Sequence, residues 1–266
     1  MTKENVMQRR DFLGTTCAAG AAALTSLAGA AKAADAGPKE WLELRTYKVE
    51  AGDMRTRLEI FLREAAIPAL NRAGVETVGV FGPMDEKVAD LFVLVPHKSI
   101  DAFAAASRKL LADADYQKAG AALLNPPKGA PTYTRIESSL MLAFDAVPKV
   151  EVVIKKPTRV FQLRTYESFS DAKARKKIEM FNSGGEIALF RSVGMQPVFF
   201  GETIVGAKMP NLTYMLVFDD MDANKAGWDK FLKAPEWDKL KNDPQYADTV
   251  STITNTLLKP AAFSQI

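Results

Sequence analysis

The string Leu42-Glu43-Leu44-Arg45-Thr46-Tyr47 returns 119 positions later as Phe161-Gln162-Leu163-Arg164-Thr165-Tyr166. The likeness continues in the same order downstream. Gly74 precedes Val75 to Gly82, and Gly194 precedes Met195 to Gly201, both runs ending in Phe-Gly. Leu91 to Val95 matches Tyr214 to Phe218, Leu110-Leu111 with Tyr116 matches Phe231-Leu232 with Trp237, and Ile136 to Met141 matches Ile253 to Leu258. Solenoids repeat at roughly 20–50 residues, so a period this long repeats a whole small domain. A chain of 266 residues has room for two such units and a leader.

Within each unit the hydrophobic period runs β-α-β-β-α-β. Trp41 to Lys48 alternates with period two. Met54, Leu58, Phe61, Leu62 and Ala65 then share one helical stripe behind Asp53 as N-cap. Pro68 should bend or weaken that helix near its end, and Gly74 is placed to cap it. Strands follow near 75–82 and 90–95, then a helix capped by Ser99 or Asp101, a Pro/Gly loop at 125–131 and a strand at 132–142. The second unit repeats this with strands near 159–166, 195–205, 212–218 and 249–258 and helices near 171–190 and 222–233. Gly184-Gly185 falls inside the first of these helices, at roughly 1 kcal/mol per glycine, and reads as a point of close backbone packing.

This order predicts an α+β fold. Two tandem ferredoxin-like domains, 40–144 and 159–266, are joined by a linker at 145–158 that holds Pro148, Lys155, Lys156 and Pro157. Each has one antiparallel sheet with helices on one face. Packing the two bare faces together gives an intramolecular dimeric α+β barrel with pseudo-two-fold symmetry. Side-chain alternation separates Leu42, Leu44 and Thr46 from Glu43, Arg45 and Tyr47. The first set is assigned to the helices. The second, with Gln162, Arg164 and Tyr166, is assigned to the enclosed space.

Residues 1–33 read as a twin-arginine signal peptide. Arg9-Arg10 precedes Asp11-Phe12-Leu13-Gly14, an Ala-rich stretch runs from Thr15 to Ala31, and Ala31-Lys32-Ala33 gives a small-x-small cleavage pattern before Ala34. The expected location is periplasmic or secreted, with the Tat translocon as the partner during export. Gly14, Gly20, Thr25, Ser26 and Gly29 interrupt the apolar stretch, which argues against a stable membrane anchor. Without this leader the net charge falls from +3 to about +1, and no basic stripe remains to suggest nucleic acid. The single cysteine, Cys17, lies in the leader, and the single histidine is His97. A disulfide, a thiolate ligand or a multi-histidine metal site therefore has no basis in the mature chain, and neither metal nor cofactor is expected.

The repeated Leu-Arg-Thr-Tyr strand, the glycine followed by a strand ending in Phe-Gly, and Trp237 after a proline resemble the NIPSNAP family. So does the C-terminal stretch Leu257-Leu258-Lys259-Pro260-Ala261-Ala262-Phe263-Ser264. The resemblance covers about 41–142 and 159–266 and implies the dimeric α+β barrel, here fused in one chain. It implies no catalytic mechanism. The first copy departs from the pattern with Tyr116 in place of the tryptophan and no proline after Leu142.

The candidate ligand-binding residues are Glu43, Arg45, Tyr47, Gln162, Arg164 and Tyr166. Two symmetry-related arginines facing an enclosed space would clamp a carboxylate or other anion, and the tyrosines would donate hydrogen bonds. The competing reading is that Glu43 simply pairs with Arg45 on the same strand face. His97 follows Pro96 after the third strand and reads as a loop residue. Trp228, Phe231 and Trp237 read as core, Phe199-Phe200 as one ring inside the barrel and one under the helices, and Asp219, Asp220 and Asp222 as turn and cap residues. Two functions follow as expectations: a small organic molecule, anionic or aromatic, bound inside the barrel, or a non-catalytic interaction module that self-associates into a homo-oligomer or docks a periplasmic partner.

Overall fold

The computed structural model describes residues 38–266, and the leader at 1–33 lies outside them. The fold is α+β, built on eight antiparallel strands that close into a barrel. The strands are β1 (Trp41–Lys48), β2 (Gly79–Pro83), β3 (Leu91–His97), β4 (Arg135–Ala143), β5 (Val160–Glu167), β6 (Gln196–Val205), β7 (Asn211–Phe218) and β8 (Thr252–Pro260). Around the barrel the order is β1-β3-β2-β8-β5-β7-β6-β4. Each half therefore contributes a four-stranded sheet, β4-β1-β3-β2 and β6-β7-β5-β8. Two short seams join them. β2 meets β8 from Phe81↔Pro260 to Pro83↔Leu258, and β4 meets β6 from Leu140↔Val205 to Ala143↔Gly201 across a bulge. Closure removes every sheet edge.

The helices cover the outside. In the first half these are α1 (Asp53–Phe61), α2 (Ile67–Arg72), α3 (Ile100–Ala112) and α4 (Ala114–Leu124). In the second they are α5 (Asp171–Asn182), α6 (Glu186–Ser192), α7 (Met221–Lys233) and α8 (Pro235–Lys241). Their starts follow local chemistry: Ser99, Asp113, Ser170 and Asp220 each accept a hydrogen bond from a backbone N–H of the first turn. Asp53 is not a cap; the N-cap is Gly52, with φ 87°. The helix does not stop at Pro68. One π turn at Leu62–Ala66 precedes it, and this wider turn accommodates the carbonyl that a proline cannot bond. The helix expected over 171–190 is broken: α5 ends at Asn182, and Gly185, at φ 92°, starts α6. Gly185 takes a positive φ that a side chain resists, and a Cβ on Gly184 would meet Met180 O at 2.6 Å, a close backbone approach.

Three apolar cores result. Two lie between sheet and helices, one in each half, around Leu58, Leu62 and Val93 and around Phe181, Phe190 and Tyr214. The third fills one end of the barrel interior with Leu42, Phe81, Leu94, Met141, Phe161 and Phe199, all at most 1% exposed, among others. Phe199 points into the barrel and Phe200 under the helices, as alternation requires. Residues 145–158 carry no helix or strand, but they cap this filled end. Val150, Val152 and Ile154 pack against it, and Glu151 N–H bonds to Val198 O at 2.9 Å. Ile266, 2% exposed, joins the same cluster. The C-terminal tail reaches there by running beside residues 78–80: Ala261 N–H bonds to Val80 O, and Gln265 bonds Val78 through both backbone and side chain.

Candidate functional site

The strand faces are the reverse of the sequence-based assignment. Leu42, Leu44 and Thr46 point into the barrel, and Glu43, Arg45 and Tyr47 point outward beneath the helices. The same holds for Phe161, Leu163 and Thr165 against Gln162, Arg164 and Tyr166: Phe161 and Leu163 belong to the barrel cluster, and Tyr166 packs on Phe181 of α5. Period two separates two faces but does not say which is enclosed. A charged set was assigned to the interior, yet the filled end of the barrel demands Leu42 and Phe161. The six candidate residues thus do not converge on one enclosed space. They form two separate groups, one on the outer face of each half.

In the first half the group is self-satisfied. Arg45 donates from Nε to Glu43 Oε1 at 2.6 Å and from Nη2 to Oε2 at 2.9 Å. Ser138 Oγ and His97 Nε2 complete the carboxylate at 3.2 and 3.3 Å. Burial alone would raise the Glu43 pKa, but the hydrogen bonds from His97 and Arg45 hold it at about 2. His97 is no loop residue: it ends β3, is 2% exposed, and stands edge-on to Phe103. Tyr47 meets Tyr133 edge-to-face in the same layer.

The second half is built differently. Gln162 replaces Glu43; its Oε1 accepts from Trp228 Nε1 at 2.6 Å and Asn224 Nδ2 at 3.0 Å, and its Nε2 donates to Asn255 at 2.8 Å. Arg164 lies over the Trp228 ring at 4.6 Å. Tyr166 and Tyr214 share a hydrogen bond at 3.0 Å, and burial raises both hydroxyls above the usual tyrosine range. Lys177 and Glu186 form a fully buried ion pair at 2.7 Å; burial pushes the Glu186 carboxyl up, and Lys177 pulls it back.

The enclosed space itself lies at the other end of the barrel. There the packed core gives way to a cavity of about 830 Å³, within the size range of ligand pockets. Its wall is built from hydroxyls: Thr46, Ser139, Thr165, Thr213, Thr254 and Thr256, contributed by β1, β4, β5, β7 and β8. Thr165 and Thr213 share a hydrogen bond at 2.8 Å across neighbouring strands. Leu44, Leu163 and Phe92 form its apolar floor toward the packed end. The mouth is charged. Lys48 pairs with Asp90 at 2.7 Å, Lys208 stands 3.7 Å from Glu167, and the 83–90 connection forms one lip. Such a wall can hydrogen-bond a polar organic molecule, while Lys48 is neutralised and His97 faces the opposite side of the sheet. Among the described residues no group of three His, Cys, Asp or Glu could hold a metal ion, and no helix is long and apolar enough to cross a membrane.

The sequence reading missed this wall. Its one visible signal is Thr252-Ile253-Thr254-Asn255-Thr256, threonine at every second place of a strand, which marks a polar face that a solid core would not contain.

Residues 161–265 match the sequence model of the NIPSNAP family. No curated protein matches the chain. Among solved structures, a monooxygenase-like protein from Fusobacterium nucleatum superposes over 84% of this chain and 92% of its own, with TM-score 0.58 and 11% identity. One from Lactobacillus acidophilus covers 86% and 98%, with TM-score 0.54 and 14% identity. A NIPSNAP-like protein from Burkholderia xenovorans, 21% identical, covers 41% of this chain and 90% of its own, with TM-score 0.36. At these identities the first two likenesses speak to the fold.

Proposed function

Taking the NIPSNAP domain at 161–265 as the premise, we propose that the protein binds a small polar organic molecule in the open half of its barrel. The observation that carries this is the division of the interior. One end is packed with aromatic and aliphatic side chains, and the other is an 830 Å³ cavity walled by hydroxyls. Empty space lined by hydrogen-bonding groups contributes nothing to packing and is suited to a ligand with matching donors and acceptors. The threonines are uncharged and the rim mixes both signs, Lys48 and Lys208 with Asp85, Asp90 and Glu137, which favours a neutral or weakly charged occupant. No reaction is assigned to the site.

We also propose that the protein works outside the cytoplasm. Arg9-Arg10 before Phe12-Leu13 supports Tat export with removal of 1–33, leaving units 40–144 and 159–266 and the 145–158 connection. Replacing Arg9 and Arg10 with lysine should retain the protein in the cytoplasm on cell fractionation; normal export would refute that route.

Ligand-observed NMR with a library of small polar fragments tests the cavity. Fragments should saturate the wild type, bind more weakly to Thr213→Trp, whose indole intrudes on the hydroxyl wall, and bind unchanged to Arg164→Gln. Fragments that bind Thr213→Trp and wild type equally would overturn the proposal.

A further inference from the structure

Arg45 and Arg164 occupy equivalent positions on β1 and β5, yet only one has a counter-charge. Arg45 is held in a two-pronged grip by Glu43. Two residues before Arg164 stands Gln162, which carries no charge and whose side-chain oxygen is already taken by Trp228 and Asn224. Asn255, the register partner of Arg164 on β8, has its oxygen occupied by Gln162. Glu186, the buried carboxylate of this layer, is spent on Lys177. Arg164 Nε is buried without an acceptor, and its guanidinium is in no ion pair among the described residues. It is stacked on Trp228 at 4.6 Å and stands 5.4 Å from the Tyr166 ring, a neutral phenol. With Lys177 matched by Glu186, no carboxylate is left to pair with the half-exposed Arg164 guanidinium, whose one side is shielded by Trp228.

We propose that Arg164 anchors a second ligand site, outside the barrel between sheet and helices, that takes the carboxylate of a small organic acid. The first half shows which anion this strand geometry accepts: a planar carboxylate lying against the Nε and Nη2 edge of the guanidinium, at 2.6 and 2.9 Å. There the protein supplies the carboxylate itself; in the second half it supplies none, and the solvent-facing side of the half-exposed Arg164 guanidinium is left to a ligand. Access runs along β8, whose outer face is uncovered at this point: Ile253 is 47% exposed and Asn255 is exposed. Trp228 supplies the flat apolar wall, and its indole N–H, bonded to Gln162, is a built-in reporter. The site does not depend on the lumen, because Arg164 and Thr165 leave β5 on opposite sides.

NMR titration with acetate and benzoate at low ionic strength, with acetamide and benzamide as neutral isosteres, tests this. The carboxylates should shift the Trp228 indole resonance saturably and the amides should not. Arg164→Gln should weaken carboxylate binding about tenfold or more, the loss expected for a charge-assisted hydrogen bond. Gln162→Glu should do the same by filling the place internally, as Glu43 does for Arg45, and it remains decisive should Arg164→Gln fail to fold. Thr213→Trp should leave the titration unchanged. The proposal is overturned by absence of saturable carboxylate binding, by equal binding of the amides, or by undiminished binding in Gln162→Glu.

Discussion

Replacing Glu43 with glutamine should remove one acid-sensitive component of stability. The Glu43 carboxyl sits at about 2 in the folded protein against an ordinary 4.5, because His97 and Arg45 bond its charged form more strongly than burial penalises it. Above about pH 4.5 the carboxyl is ionised whether the chain is folded or not, and the contribution is complete. Below that the unfolded chain takes the proton first, so the contribution shrinks and is gone by about pH 2. The difference, at 1.36 kcal/mol per pKa unit, is about 3 kcal/mol. Glu43 is 5% exposed, so solvent screening takes little from this figure. Glutamine matches the neutral acid in shape and cannot carry the charge. Urea unfolding of wild type and Glu43→Gln should therefore give a stability gap of about 3 kcal/mol at pH 7 that closes between pH 4.5 and 2. A gap that stays constant with pH would refute the reasoning, as would one below about 1 kcal/mol at pH 7.

The two ends of the barrel should respond differently to truncation. Phe199→Ala at the packed end should cost about 3–5 kcal/mol in urea unfolding, whereas Thr165→Ala at the open end should cost about 1 kcal/mol, one hydrogen bond to Thr213. Lys177→Met strands the Glu186 carboxylate and should cost about 3–5 kcal/mol. The double change Lys177→Met with Glu186→Leu should recover most of that loss, because the lone buried charge is gone.

Much of the architecture is written locally. The repeated strand phrase, the glycines at 74 and 194, both at positive φ, and the caps at Ser99 and Asp220 specify element order, and the order specifies the barrel. Element ends were less legible. Residues 75–78 alternate like a strand, but Val78 is paired with the C-terminal tail, a partner 187 positions away that no local pattern reveals. Similarly, Gly184-Gly185 breaks a helix because α6 must turn to bury Ile187 and Phe190, which is a tertiary demand. Arg45 and Arg164 were found as a pair, and Glu43 as the partner of Arg45. Which side of the sheet they occupied was not legible, since alternation is symmetric and a buried ion pair reads like a polar ligand site. The hydroxyl wall escaped because threonine is ordinary in strands, and only the pairing register of β7, β5 and β8 sets Thr213, Thr165 and Thr254 side by side.

Thiol labelling tests most directly whether the barrel is a container open at one end. In a Cys17→Ala background, a cysteine at Thr213 should react with a small aromatic disulfide in the folded protein, and one at Val198, 0% exposed in the packed end, should react only as the chain unfolds. Equal protection of the two positions would mean that the hydroxyl-lined half is closed to small molecules, contradicting the account.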